Sequence, residues 1–175
     1  RIWQCSAART IENFVDLAHF PWVHEGILGN RSHPHTPDID VKRHGEELRF
    51  QYTNLPDKTH AVSFKRTYRL FRPFAIYLEK EESDGRNEVL VFVCTPHSAG
   101  ECTRYFVAAR NYEPKLSDGG KQEEIYDLLT EQDRVIVENQ RPEELPLDLA
   151  EEMHLKGPDG VSLAYRQFIR ELGVF

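Results

Sequence analysis

A chain of 175 residues with 39% hydrophobic and 11% aromatic side chains is long enough to enclose one core and too hydrophobic to be disordered. Its formal net charge of −7 excludes the basic stripe that a nucleic-acid partner requires, and no apolar run approaches the roughly 18 residues of a membrane helix. Three cysteines (Cys5, Cys94, Cys102) form neither a Cys-x-x-Cys pair nor an even disulfide framework, so reduced thiols and a cytoplasmic location are expected.

The opening Arg1-Ile2-Trp3-Gln4-Cys5 reads as a strand entered mid-protein rather than as a signal peptide. Thr10 offers an N-cap for a helix over residues 11–20 that Pro21 closes. Residues 29–40, rich in Asn, Ser, His and Pro, are loop. Strands follow: Leu48, Phe50 and Tyr52 alternate with polar residues, as do Val62, Phe64, Tyr68 and Leu70, with Lys65 and Arg66 between them. Residues 75–80 form another strand, and the nearly continuous apolar run 89–95 reads as a central one. Residues 102–111 pair with that run across the loop 96–100. The period turns helical from Gln122 to about Gln140, stopping before Arg141-Pro142. A last amphipathic helix over 161–172 precedes Gly173 as its C-terminal stop. Helix, antiparallel meander, long helix and short helix together predict an α+β fold in one domain, residues 1–175, with the sheet curled around the long helix.

The chemistry concentrates in residues 13–24. Asp16 and His19 are i and i+3, and His24 lies beyond the Pro21 break, which can swing it back towards His19. Two imidazoles a few residues apart, one oriented by a carboxylate, is a common construction for a metal site, although such pairs are often ordinary surface or core residues. The long helix adds Asp133, whose helical neighbours are Leu129, Ile136 and Val137, while Asp127, Glu131, Arg134 and Glu138 project to the other side. A carboxylate on an apolar face must be protonated, paired or bound to a cation. Arg104 or Arg110 from the sheet is one candidate partner, and a metal shared with the two histidines is the other. Two histidines and a carboxylate form the facial set for Fe(II), and a catalytic zinc could use the same ligands.

Asn13-x-x-Asp16-x-x-His19-x-x-x-x-His24 resembles the iron motif of Rieske oxygenase catalytic domains, and residues 131–138 resemble the segment giving their third ligand. Within that family the sequence is most similar to the group that includes vanillate O-demethylase and related aromatic-acid oxygenases. The resemblance implies iron at His19, His24 and Asp133. It implies Asp16 as the carboxylate bridging a ligand histidine to a neighbouring subunit's cluster, and Asn13 near the iron without being a firm ligand. It also implies a helix-grip fold, an antiparallel sheet wrapped around the long helix. The activity implied is O2-dependent hydroxylation or oxidative demethylation of an aromatic or similarly apolar small molecule. Electrons would come from NAD(P)H through a reductase or ferredoxin and a Rieske [2Fe-2S] cluster, in a homo-trimer. Of the paired cluster motifs, Cys-x-His does not occur here and Cys94-x-x-His97 stands without it, so the cluster domain is expected upstream of Arg1.

Two rivals stand beside this reading: a non-enzymatic helix-grip module for a hydrophobic ligand, and zinc-dependent hydrolysis. His33, His35, His44, His60, His97 and His154 read as solvated or isolated, and Trp3 and Trp22 as packing residues. Phe92, Tyr126 and Leu129 are candidate pocket residues on geometric grounds alone.

Overall fold

Seven strands build a single antiparallel sheet in the computed structural model, which describes residues 1–55, 60–112 and 116–173, without the side chains of residues 116–119. In chain order they are β1 (Ile2–Trp3), β2 (Lys42–His44), β3 (Glu47–Asn54), β4 (Phe64–Phe71), β5 (Ala75–Glu82), β6 (Asn87–Ser98) and β7 (Glu101–Arg110). β2 to β7 run as a meander. The short opening strand β1 closes on the other side of β7, with Ile2 opposite Thr103 and Trp3 opposite Cys102.

Alternation decides which face is inward. Leu48, Phe50 and Tyr52 on β3, Phe64, Tyr68 and Leu70 on β4, and Ile76 and Leu78 on β5 are all buried, as expected from their period-2 pattern. The same register carries one charge inward. Arg66 lies between Phe64 and Tyr68 on the buried face, and Val62 falls before β4 begins.

Among the described residues four helices accompany the sheet: α1 (Ala7–Val15), α2 (Phe20–Val23), α3 (Leu116–Glu138) and α4 (Gly160–Arg170). Ile11 and Val15 of α1 and Tyr165, Phe168 and Ile169 of α4 join the strand residues in one core. Gly173 ends the last helical segment with φ of 64°, a conformation that glycine adopts without steric cost. The long helix α3 contributes Val137 to the core, and its Tyr126 reaches the sheet by ring contact with Phe106 and a hydrogen bond to Glu88. Between α3 and the sheet a cavity remains.

A buried ion network clamps α1 to α4. The Arg166 guanidinium donates from Nε and Nη2 to both oxygens of Glu12 at 2.7 and 3.0 Å, and Arg9 and Glu152 complete a neutral set of four. The side chains of Arg9 and Arg166 are only 0% and 3% exposed. Removing one partner strands a carboxylate away from water. Arg166→Ala is therefore expected to cost about 3–5 kcal/mol of stability, read as a lowered midpoint in urea unfolding. Arg170→Ala, an exposed residue on the same helix, is the control and should change stability by less than about 0.5 kcal/mol.

Candidate metal centre

The segment that carries the first two candidate ligands folds differently from the helix over residues 11–20, closed by Pro21, that its sequence predicts. Ser6, not Thr10, caps α1: its hydroxyl accepts from the Arg9 N–H at 3.2 Å, while Thr10 bonds back to the Ser6 carbonyl from inside the helix. The helix stops at Val15 because Asp16 leaves helical geometry (ψ 111°) and its Oδ1 accepts the Ala18 N–H at 2.8 Å. Short acidic side chains compete for backbone donors in this way and end helices. Pro21 then sits in the first turn of α2, where its missing N–H costs nothing, so it starts a helix instead of closing one.

That single turn aligns the two histidines. The Val23 N–H donates to the His19 carbonyl and the His24 N–H to that of Phe20, which folds His24 back beneath His19 with ring centroids 5.0 Å apart. Gly29 holds the turn in place, since a Cβ there would sit 2.8 Å from the backbone nitrogen of Pro21. Asp16 and His19 meet as expected, through the turn between helices instead of along one helix face.

Asp133 comes from α3, where Thr130, Asp133 and Val137 form the buried stripe. Ile136, expected on that face, is 51% exposed. One oxygen of Asp133, Oδ1, lies 2.9 Å from His24 Nε2 and 3.4 Å from His19 Nε2, and accepts from Asn13 Nδ2 at 3.4 Å. One ligand atom from each of His19, His24 and Asp133 lies within 4.8 Å of the others, the one such His/Cys/Asp/Glu grouping among the described residues. The other ring nitrogens are occupied. His19 Nδ1 donates to Asp16 Oδ2 at 3.2 Å, and His24 Nδ1 meets Gln132 Oε1 at 2.8 Å. Gln132 has no signal in the sequence, because its helical neighbours point it away from Asp133's face.

The donor set fits a divalent ion. His19 Nε2 is buried without a hydrogen-bond partner, and both imidazoles are oriented through Nδ1, which aims Nε2 at the shared centre. Burial alone disfavours the His19 cation, yet the carboxylates of Asp133 and Asp16 outweigh it and raise its pKa to about 9. Burial likewise opposes the Asp133 anion, and His19 and His24 overcome it, lowering that pKa to about 2. Without metal, His19 is thus protonated at neutral pH, and the proton must leave before Nε2 can ligate. The expected result is an Fe(II) affinity, measured by anaerobic titration, that climbs about tenfold per pH unit from pH 7 and levels off near pH 9. An affinity flat over that range would show that no proton is displaced. The sign for metal-free stability is opposite. A raised histidine pKa stabilises fully below about 6.5, and that contribution is lost as pH rises through about 9.

Beside this centre lies a cavity of about 240 Å³ between α3 and the sheet. Tyr126 and Leu129 line it as expected. Phe92 does not: it is core, stacked on Phe14 at 4.7 Å, and Leu90 takes the lining position on β6. Among residues set aside from sequence, His33 and His35 are exposed and His97 bonds Thr103, whereas His60 lines the cavity. Trp3 is fully buried, as a packing residue should be, and Trp22 is 53% exposed.

Fold and residues together define an α+β domain with a long helix over the sheet's inner face and a two-histidine, one-carboxylate constellation at the cavity wall. Residues 3–174 match the vanillate O-demethylase oxygenase C-terminal domain, and the chain belongs to that family, as the catalytic domain of a Rieske non-haem iron oxygenase. Similar proteins include methylxanthine N1-demethylase NdmA of Pseudomonas putida, 30% identical over 178 residues that cover 97% of this chain and 48% of the relative. The probable methylxanthine N7-demethylase NdmC of Pseudomonas sp. (strain TJI-51) is 28% identical, covering 97% of this chain and 62% of the relative. The structure of Pseudomonas putida NdmA with caffeine superposes with a TM-score of 0.85 at 29% identity, over 98% of this chain and 49% of that one. Dicamba monooxygenase bound to dicamba shares the fold at 14% identity, with a TM-score of 0.73 over all of this chain and 58% of that one. The chain thus spans about half the length of the Pseudomonas putida relative.

Proposed function

We propose that His19, His24 and Asp133 hold a mononuclear Fe(II) at which the enzyme hydroxylates or oxidatively demethylates an aromatic or similarly apolar small molecule. The observation that carries this reading is the convergence of the three ligand atoms within 4.8 Å at the wall of a buried cavity. Membership in an oxygenase family favours Fe(II) over hydrolytic zinc and over a ligand carrier. The relatives named as N-demethylases favour oxidative removal of a methyl group.

When bound, the iron supplies O2 activation, which the protein side chains cannot. The chain's residues orient the centre and shape its surroundings. Asp16 fixes the His19 ring and Gln132 the His24 ring, while Asn13 steadies the Asp133 carboxylate. Phe14, Leu90 and Leu129 give the cavity apolar wall beside the ligands. Asp16 is 32% exposed, so one carboxylate touches both the His19 ring and the protein surface. This suits it to pass electrons from a Rieske [2Fe-2S] cluster of a neighbouring subunit in a homo-trimer. The cluster belongs to a domain preceding residue 1, fed from NAD(P)H by a reductase or ferredoxin, in the cytoplasm. None of the described helices is long and apolar enough to cross a membrane.

The test is the full-length enzyme purified anaerobically. It should carry one iron per chain beyond its cluster iron and, with NAD(P)H and reductase, consume O2 with a methoxylated or N-methylated aromatic substrate. Zinc in place of that iron, with no O2 uptake, would refute the proposal.

A further inference from the structure

The outer face of the sheet, turned away from the cavity, has two halves of different chemistry. On β3 and β4 it carries Arg49, Gln51, Lys65 and Arg69, with Lys65 paired to Glu81 at 3.2 Å and Arg69 to Glu47 at 2.9 Å. On β6, β7 and β1 it is apolar. Val91 stands opposite Val107 and Val93 opposite Tyr105, and Ile2 joins them from β1. Ile2, Val91, Tyr105 and Val107 are between 38% and 63% exposed. Side chains of this kind, next to one another on one sheet face, make an apolar patch of the sort that soluble proteins reserve for contacts.

The edge beside that patch is open as well. The chain's start is bonded to β7 as far as Arg104, whose N–H donates to the Arg1 carbonyl at 2.7 Å and whose carbonyl accepts from the Arg1 nitrogen at 2.9 Å. Backbone N–H groups alternate in direction along a strand, so those of Phe106 and Ala108 point as that of Arg104 does, away from β6. Among the described residues no strand lies on that side of them. A cleft of about 570 Å³ runs there, walled by Tyr105, Phe106 and Ala108 of β7 and by Glu123 and Asp127 of α3. An unpaired edge next to an apolar face is a template for one more strand.

Register says which segment fits. Ile2 faces Thr103 and Trp3 faces Cys102, so each step back along the chain is one step forward on β7. Continued on that register, the third residue before Arg1 faces Val107. The matched family is a C-terminal domain, and the match covers 48% of the Pseudomonas putida relative, so about half of that protein lies outside it. A segment joined to Arg1 is held beside the edge by its own linkage, at an effective concentration of about millimolar.

We propose that the residues immediately before Arg1 extend β1 along the edge of β7, and that the domain they end lies against the patch of Ile2, Val91, Tyr105 and Val107. This rests on the proposed domain preceding residue 1 and on nothing at the metal centre. The chain's own cluster domain then sits across the sheet from His19, His24 and Asp133, and electrons reaching Asp16 have to come from another subunit.

The test uses the full-length enzyme carrying Val107→Cys or, as the control on the polar half of the same face, Gln51→Cys. Each is treated with a maleimide, and modification of the introduced thiol is followed by peptide mass spectrometry. Gln51→Cys is expected to react at least about tenfold faster than Val107→Cys, because a covered position reacts only when the cover opens. A photoreactive benzophenone amino acid in place of Val107 then identifies the cover. On irradiation it should cross-link within one chain, to a peptide from before Arg1. Equal labelling rates would leave the face open and overturn the proposal. So would a cross-link that doubles the chain's mass on a denaturing gel, which would put a second copy there, or the lack of any cross-link to a peptide from before Arg1. Iron content of the same preparations reads the metal assignment separately, and its failure leaves this result untouched.

Discussion

Replacing Asp133 by alanine is expected to empty the metal centre of the full-length enzyme while leaving its cluster iron in place. Asp133 brings the one carboxylate of the candidate set, and its Oδ1 stands within 3.4 Å of both histidine Nε2 atoms. Two imidazoles alone are a poor cage for a divalent ion. Changing a residue that merely supports a ligand costs about 10–100-fold in metal affinity, so loss of the ligand itself should exceed about 100-fold. The variant should not fail by protonation. Without Asp133, the His19 pKa drops back from about 9 towards its ordinary value, leaving the ring neutral more often at pH 7.5. The measurement is iron per chain after anaerobic gel filtration, beside O2 consumption. Stoichiometric mononuclear iron in Asp133→Ala would exclude this carboxylate as a ligand. Asp133→Asn keeps an oxygen acceptor but not the charge, and should retain an intermediate amount.

The parts of this centre differ in how far they could be read from sequence, and the difference has physical causes. Asp133 is legible because helical periodicity is strict: a carboxylate among apolar positions of α3 is conspicuous, and it is buried. The exact composition of its face is less so, since Thr130 takes the place expected for Ile136, which turns to solvent. The proximity of Asp16, His19 and His24 follows from a motif, but the geometry behind it does not. Ser6 outcompetes Thr10 as a cap, Asp16 ends α1 by accepting the Ala18 N–H, and Pro21 opens a second helix. The strands are legible wherever inward residues are apolar. Arg66 is invisible by that rule, because a charged residue in a strand reads as outward-facing, and only register with Tyr52 and Lys80 shows it inside. Gln132 and the Glu12–Arg166 pair belong to contacts between segments 108 and 154 residues apart, for which neither periodicity nor spacing carries a signal.

Asp16→Asn should separate iron binding from turnover in a way no change to a ligand can. The side chain keeps its shape, and its single amide oxygen can still accept the Ala18 N–H, so the turn between α1 and α2 should survive although the bond from His19 Nδ1 to Oδ2 is lost. Iron content should accordingly stay near that of wild type. What is lost is the negative charge on a group that contacts the His19 ring on one side and is 32% exposed on the other. If that carboxylate carries electrons from a neighbouring subunit's cluster to the iron, product formation with NAD(P)H and reductase should fall by about 100-fold or more. Reduction of the cluster itself, followed by its visible absorbance under anaerobic conditions, should proceed at the wild-type rate, because the reductase acts before Asp16 does. Asp16→Glu keeps the charge on a longer arm and should recover part of the activity if charge is what matters. Full activity in Asp16→Asn would remove Asp16 from the electron path and leave it as a turn-forming residue, whereas slow cluster reduction would move the defect to the reductase.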